Sequence, residues 1–156
     1  MEYQTIALET FNIIGIEART TNENDQSRQD ISSLWKRFYS EKIANLISNK
    51  TSDEITALYT DYEQDFTKPY TIVIGFKVEN LDNIPSGLTG RKIAAANYAV
   101  FTVNGKLPDE LINMWKSIWN SSIPRAYTSD FEVYGERAKD RDNAQMQVYV
   151  SIKQQS

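Results

Sequence analysis

The sequence predicts an α+β fold made of two β-α-β-β units that pack side by side. Apolar residues recur at the spacing of an amphipathic helix in two segments, residues 27–47 and 108–118. Each helical segment follows one long stretch of strand-like composition and precedes two further strands. The element order of residues 6–79 is therefore repeated in residues 91–153, which indicates an internal duplication.

The first unit begins with a strand predicted at residues 6–20, which is rich in β-branched and apolar side chains. Asn12 and Gly15 are expected to cause irregular twist within this strand. Two strands, predicted at residues 55–63 and 70–79, follow the helix of this unit and are joined by a polar turn. The buried face of that helix is predicted to carry Ile31, Leu34, Trp35 and Phe38, followed by Ile43, Leu46 and Ile47.

The second unit begins with a strand predicted at residues 91–103. Pro108 suits the first turn of the following helix, because its missing N–H would have no helical partner there. Two strands, predicted at residues 130–136 and 146–152, complete the unit and are separated by a charged turn. The buried face of this second helix is predicted to carry Leu111, Met114, Trp115 and Ile118.

The two units must pack together, because three strands and one helix cannot bury both a sheet face and a helix stripe alone. We therefore expect residues 1–156 to form one domain with a mostly antiparallel sheet and two main helices on one face. A central groove should follow the pseudo-two-fold axis between the units. Grooves of this kind are common ligand sites.

The composition excludes several classes of active site. Among its 156 residues the chain has no Cys and no His, so disulfides, zinc–thiolate sites, imidazole metal sites and the Ser-His-Asp triad are absent. The acidic residues do not form the Asp-x-Asp-x-Asp-Gly pattern of a calcium loop. We therefore expect no metal and no cofactor, and we assign no catalytic residue.

The charge and hydropathy patterns restrict the partners and the compartment. The formal net charge of −4 disfavours direct binding of nucleic acid, because phosphate groups are repelled. The N-terminus lacks the basic and apolar regions of a signal peptide, and no run of 18 apolar residues is present. We expect a cytoplasmic protein that does not contact membranes.

Three segments, residues 74–105, 118–137 and 148–153, resemble the GyrI-like effector-binding domain. This domain is the ligand-sensing module of AraC-type and MerR-type multidrug regulators, and it also occurs as a stand-alone protein. The resemblance extends from about Phe11 to Lys153, which leaves no room for the DNA-binding helix-turn-helix of those regulators. It implies the same duplicated fold, and a central aromatic-lined pocket with a basal carboxylate that binds bulky hydrophobic cations.

The acidic residue of that family lies in a Phe-Glu-x-Tyr motif, which Phe131 to Tyr134 match. Because side chains alternate along a strand, Glu132 and Tyr134 should share one face, with Phe131 on the other. We expect Tyr149, on the neighbouring strand, to lie on the face of Glu132. A carboxylate in an apolar pocket is poorly solvated until an organic cation enters, and aromatic rings attract the same cation.

The candidate ligand contacts also have structural interpretations. Glu132 could form a structural ion pair with Arg125 or Arg137, and the aromatic residues could simply pack in the core. Besides Glu132 and Tyr134, the candidate ligand-binding residues are Tyr149, Tyr59, Tyr98, Trp35, Phe38, Trp115 and Trp119.

Three functions remain open at this point. The first is non-enzymatic binding of hydrophobic, cationic small molecules by a sensor or sequestration module related to transcription regulators. The second is hydrolysis of reactive electrophiles, with Glu132 and Tyr134 or Tyr149 as acid–base groups. The third is the protein interaction that the gyrase-inhibiting members of the family imply.

Overall fold

The computed structural model describes residues 2–154, which fold into eight strands and three helices. The strands are β1 (Gln4–Leu8), β2 (Phe11–Thr20), β3 (Ile55–Thr60), β4 (Tyr70–Val78), β5 (Thr89–Ile93), β6 (Ala96–Gly105), β7 (Ser129–Tyr134) and β8 (Ala144–Ile152). The helices are α1 (Gln26–Ser40), α2 (Ile43–Leu46) and α3 (Asp109–Trp119), and 3₁₀ turns lie at Glu23–Asp25 and Glu136–Ala138.

All eight strands form one antiparallel sheet in the order β1-β6-β8-β7-β3-β4-β2-β5. The unit β2-α1-β3-β4 occupies one half of this order, and the unit β6-α3-β7-β8 occupies the other. The two halves meet where β7 pairs with β3, so a pseudo-two-fold axis passes between these strands. The predicted α+β class and the duplicated units are confirmed.

The first strand of each unit differs from the prediction. The stretches predicted as single strands, 6–20 and 91–103, each divide into two, β1 with β2 and β5 with β6, separated by two residues. Leu8 pairs with Ala96 and Phe11 pairs with Ile93, so the pairing register is the same on both sides of the break. The two bent strands therefore join the halves of the sheet at its outer ends.

The close approach of β2 and β4 depends on a cross-strand pair of glycines. Gly15 pairs directly with Gly75 and is not a point of irregular twist. A Cβ atom at Gly15 would lie 2.2 Å from the carbonyl oxygen of Ile74, and one at Gly75 would lie 2.0 Å from that of Ile14. Both contacts are far inside van der Waals distance, so neither position has space for a larger residue.

Three clusters of buried apolar side chains stabilise the fold. One lies between α1 and its half of the sheet and includes Leu34 and Phe38, and another lies under α3 and includes Ile118. The third lies on the opposite face of the sheet and includes Tyr98 and Phe131. Each buried residue of this size contributes roughly 1.5–3 kcal/mol to the stability through the hydrophobic effect.

The helices α1 and α3 lie on the same face of the sheet, as predicted, with a groove between them. The longest helix, α1, has 15 residues. Within residues 2–154, the helices lack the combination of length and hydropathy that a membrane-spanning helix needs.

Candidate functional site

A cavity of about 1520 Å³ lies between α1 and α3, above the central strands β3 and β7. Aromatic and aliphatic side chains from both helices form its walls, and the central strands form its floor. Its wall and floor residues include Ile31, Trp35, Tyr39, Tyr59, Tyr62, Phe66, Tyr70, Leu111, Trp115, Trp119, Arg125, Glu132 and Tyr134.

Helical periodicity places the apolar wall residues at the cavity. Ile31 and Trp35 are four residues apart on α1, and Leu111, Trp115 and Trp119 repeat the same interval on α3. Because such residues lie on one face of a helix, each helix presents a stripe of large apolar groups toward the groove. The walls can therefore bury a large hydrophobic molecule.

Glu132 forms the polar centre of the cavity floor. Its side chain accepts three hydrogen bonds, from the Tyr59 hydroxyl and the Trp115 indole N–H at 2.7 Å and from the Tyr134 hydroxyl at 2.6 Å. The residue is only 1% exposed. All three donors are neutral aromatic side chains, so the carboxylate is solvated by the protein without a balancing positive charge.

Neither ion pair considered from the sequence forms at Glu132. Arg125 binds Asp130 instead, and Arg137 bonds to Gln145. Within residues 2–154, no Lys or Arg side chain is paired with Glu132. Among these residues, Glu132 is therefore a buried carboxylate without a cationic partner.

The environment of Glu132 shifts its pKa and those of its tyrosine partners. Burial raises the pKa of the Glu132 carboxyl above its ordinary value, although the hydrogen bonds from Tyr134, Tyr59 and Trp115 act in the opposite direction. Burial and the adjacent Glu132 raise the pKa of both tyrosine hydroxyls well above the usual value. The hydroxyls therefore stay protonated and remain hydrogen-bond donors at neutral pH.

A second carboxylate on β7, Asp130, is neutralised within the protein. Arg125 Nη2 donates to Asp130 Oδ2 at 2.7 Å, and the Tyr62 hydroxyl donates to the same oxygen at 2.6 Å. The backbone N–H of Ser151 donates to Asp130 Oδ1 at 2.7 Å. Asp130 and Glu132 are alternate residues of one strand, but only Glu132 lacks a cationic partner.

Six of the nine predicted ligand contacts lie in the wall or floor of the cavity. The two tryptophans of α3 and the one of α1 form the walls, whereas the two tyrosines and the acid belong to the floor. These six residues are Trp35, Tyr59, Trp115, Trp119, Glu132 and Tyr134.

The prediction that Tyr149 shares the face of Glu132 is wrong, because Tyr149 lies on the opposite face of the sheet, together with Tyr98. Tyr149 pairs with Phe131 across β7 and β8, and cross-strand partners share a face. The two rings stack with their centroids 4.5 Å apart. Tyr98 contacts Phe131 in the same cluster, with centroids 5.3 Å apart. Neither tyrosine lines the cavity that contains Glu132.

Phe38 does not line the cavity, because this residue points into the core beneath α1, on the helix face that the sequence predicted to be buried. It is 2% exposed and packs against Phe76 of β4, with ring centroids 5.8 Å apart. Trp35, one turn earlier, lies on the cavity side of the same helix and packs edge-on against the Tyr134 ring, with the ring centroids 5.1 Å apart. The apolar stripe of α1 is therefore divided between core and cavity.

Sequence reasoning missed the residues that close one end of the cavity. Tyr62 and Phe66 come from the segment between β3 and β4, and Arg125 comes from the segment between α3 and β7. Phe66 stacks on Trp119 with an interplanar angle of 4°. The signal available in the sequence was the presence of two aromatic residues in an otherwise polar turn.

Comparisons with known proteins identify relatives of the whole domain. The family model for the integron-associated effector binding protein, Cass2, matches residues 6–152. The chain is 33% identical over 144 residues to the putative transcriptional regulator protein YobU of Bacillus subtilis, covering 89% of this chain and 90% of YobU. It is 26% identical to the transcriptional regulator BrlR of Pseudomonas aeruginosa, covering 97% of this chain but only 56% of BrlR.

Solved structures share the fold. The integron cassette protein of Vibrio cholerae superimposes with a TM-score of 0.75 at 25% identity, over 97% of this chain and 95% of that one. SAV2435, solved bound to tetraphenylphosphonium, superimposes with a TM-score of 0.81 at 22% identity, over 98% and 94% of the two chains. The protein therefore belongs to the family of integron-associated effector binding proteins.

Proposed function

We propose that the cavity binds one bulky hydrophobic monocation, with Glu132 as its counter-ion. The observation that carries this proposal is a fully buried carboxylate, in the floor of a large cavity, whose hydrogen-bond donors are all neutral. A cation that enters beside Glu132 supplies the missing positive charge. The function is therefore the capture of an effector of defined charge.

The energetics of the site support this ligand class. Burial makes ionisation of Glu132 unfavourable, and a cation at contact distance compensates for that penalty. Each aromatic ring that faces the cation adds about 0.5–2 kcal/mol. Micromolar affinity corresponds to about −8.2 kcal/mol, which one charge contact, a few rings and apolar burial can supply together.

The dimensions of the cavity favour a bulky ligand. Its volume of about 1520 Å³ exceeds the roughly 300–1,000 Å³ of ordinary small-molecule pockets. The related fold of SAV2435 was solved with tetraphenylphosphonium, which is a large aromatic monocation. This cation is accordingly the natural first probe for the present cavity.

We propose that binding occurs without turnover. The hydroxyls of Tyr59 and Tyr134 both donate to Glu132, and their raised pKa values make them poor proton donors toward a substrate. The relatives YobU and BrlR are named as transcriptional regulators. We therefore place the protein in the cytoplasm, where it senses or sequesters effectors of the kind that regulators respond to.

The proposal is tested by titrating the protein with tetraphenylphosphonium and, separately, with tetraphenylborate, which has nearly the same shape but the opposite charge. Trp35, Trp115 and Trp119 line the cavity, so intrinsic tryptophan fluorescence reports occupancy directly. We expect saturable one-to-one binding of the cation and at least tenfold weaker binding of the anion. Equal affinity for both ions would refute the counter-ion role of Glu132.

A further inference from the structure

Arg125 lies in the wall at one end of the cavity and has unused hydrogen-bonding capacity. Its Nη2 donates to Asp130 at 2.7 Å. Its Nε and Nη1 atoms are buried and have no hydrogen-bond partner among residues 2–154. The side chain is only 5% exposed, so bulk water does not supply the missing hydrogen-bond acceptors.

Aromatic rings surround this guanidinium group. Its central carbon lies 4.2 Å from the centroid of the Tyr127 ring and 5.9 Å from that of Trp115. The face of an aromatic ring attracts a cation, but it does not replace the oxygen acceptors that the Nε–H and Nη1–H groups of Arg125 lack. Buried donors without an acceptor destabilise a protein and are uncommon in folded structures. An acceptor on a ligand would satisfy them.

The charges around the cavity restrict what that acceptor can be. Arg125 and Asp130 neutralise each other, which leaves Glu132 as the one uncompensated buried charge among the groups described above. A monocation completes the balance. A carboxylate on the same ligand would restore an unpaired negative charge in a poorly solvated space. A neutral oxygen acceptor avoids this penalty.

Trp115 connects the two sites. Its indole N–H donates to Glu132, and the same ring lies beside Arg125. Asp130 and Glu132 are alternate residues of β7, so their Cα atoms are roughly 7 Å apart along the strand, and we take this spacing as the scale of the separation between Glu132 and the Arg125 bound to Asp130. The half-buried ring of Tyr127 packs against the guanidinium group, whereas Arg125 itself, and not Tyr127, lines the cavity.

We propose that Arg125 is a second ligand subsite, which donates a hydrogen bond to a neutral carbonyl oxygen of the bound cation. The inference depends on the proposed function, because it assumes that the cationic centre lies against Glu132. It names the ligand class more closely: a hydrophobic monocation that carries an ester, amide or ketone oxygen roughly 7 Å from its charge.

Two matched ligands test the subsite. The compounds are (4-methoxycarbonylbutyl)triphenylphosphonium, whose carbonyl oxygen lies at about the required distance, and heptyltriphenylphosphonium, which has the same chain length without an acceptor. Their affinities are measured with wild-type protein and with Arg125→Lys. Lysine keeps a positive charge opposite Asp130 but lacks the forked N–H groups of arginine.

We expect the substitution to reduce the affinity for the ester relative to the alkyl compound by about tenfold, as for loss of a hydrogen bond to a charged donor. Tetraphenylphosphonium has no acceptor, so its affinity for each protein measures any effect of the substitution on the cation site itself. If it binds but the ester-to-alkyl ratio is the same in both proteins, the subsite is refuted and the cation site stands. If it does not bind wild-type protein, both proposals fail.

A second measurement does not require a substitution. The Arg125 Nε–H resonance of wild-type protein is followed by NMR during titration with each phosphonium compound. Hydrogen bonding to the ester should shift this resonance downfield, whereas the alkyl compound should leave it nearly unchanged. The same response to both compounds would overturn the subsite even if Arg125→Lys failed to fold.

Discussion

Replacement of Glu132 by Gln removes the buried charge on which the cation site depends while keeping the shape of the side chain. A phosphonium centre shielded by its own rings would lie roughly 6 Å from the carboxylate, and at an effective dielectric constant of about 20 the attraction is about 3 kcal/mol. Loss of this attraction should weaken the binding of tetraphenylphosphonium on the order of a hundredfold.

The folded state should tolerate Glu132→Gln. An amide oxygen in the position of Oε2 keeps the bonds from Tyr59 and Trp115, and loss of the bond from Tyr134 costs about 0.5–1.5 kcal/mol. Loss of the desolvation penalty of the charged group offsets part of this cost. Circular dichroism and thermal melting should therefore show a folded variant.

Isothermal titration calorimetry at neutral pH measures the effect, with Glu136→Gln as the matched control. Glu136 lines the same cavity, but its side chain is 84% exposed, so solvent and salt screen its charge. The control should bind tetraphenylphosphonium within about twofold of wild type. If folded Glu132→Gln also binds within about threefold of wild type, the reasoning is refuted.

Four further predictions follow from the site and from the packing of the sheet. Burial raises the pKa of Glu132 above 4.5, so the affinity for tetraphenylphosphonium should rise as the pH increases from 4.5 and level off once the carboxyl is ionised. The affinity of Glu132→Gln should show no such rise. The same shift means that the contribution of Glu132 to stability is present in full below pH 4.5 and is lost as the pH rises through the raised pKa. The melting temperatures of wild type and Glu132→Gln should therefore converge toward acid pH. Melting temperatures that diverge toward acid pH would contradict the shift. Tyr59→Phe should weaken cation binding several-fold in calorimetry, whereas Tyr149→Phe, on the opposite face, should change it by less than about twofold; equal effects of the two substitutions would contradict the placement of the site. Gly75→Ala should lower the free energy of unfolding by at least about 1–3 kcal/mol in urea denaturation, and a change below about 0.5 kcal/mol would show that the strands can separate there.

Local periodicity was sufficient to predict the two units, whereas Glu132 was identified through the resemblance of residues 131–134 to the Phe-Glu-x-Tyr motif. The helical stripes were visible as repeats of large apolar residues, and alternation along β7 separated Glu132 and Tyr134 from Phe131. The set on the cavity side of this strand is more polar than the set on the other side. A strand whose helix-facing side chains are polar departs from ordinary core patterning, which is expected at a functional site.

The position of Tyr149 could not be predicted from alternation within its own strand. Alternation separates Tyr149 from Met146 and Val148, but it does not indicate which set faces the helices. That choice depends on the register between β7 and β8, and a shift of one residue reverses it. The apolar residues Met146, Val148 and Val150 pack under α3, so they were the better indicator of which side of β8 faces the helices.

The bends and the end of the cavity depend on contacts between distant parts of the chain. Both sides of the break at Glu9 and Thr10 are strands, so a continuous apolar pattern conceals it. Tyr62 and Arg125 meet through Asp130, although the tyrosine is 68 residues from that acid in sequence. Such contacts follow from the closure of the fold, which single-sequence patterns do not record.

A crystal structure with tetraphenylarsonium tests the central claim most directly, because arsenic gives an anomalous signal that locates the cation without ambiguity. We expect one strong anomalous peak inside the cavity, roughly 6 Å from the Glu132 carboxylate and between the tryptophans of α1 and α3. A peak on the Tyr149 face, or one at the surface with Glu132 left to its three aromatic donors, would contradict it.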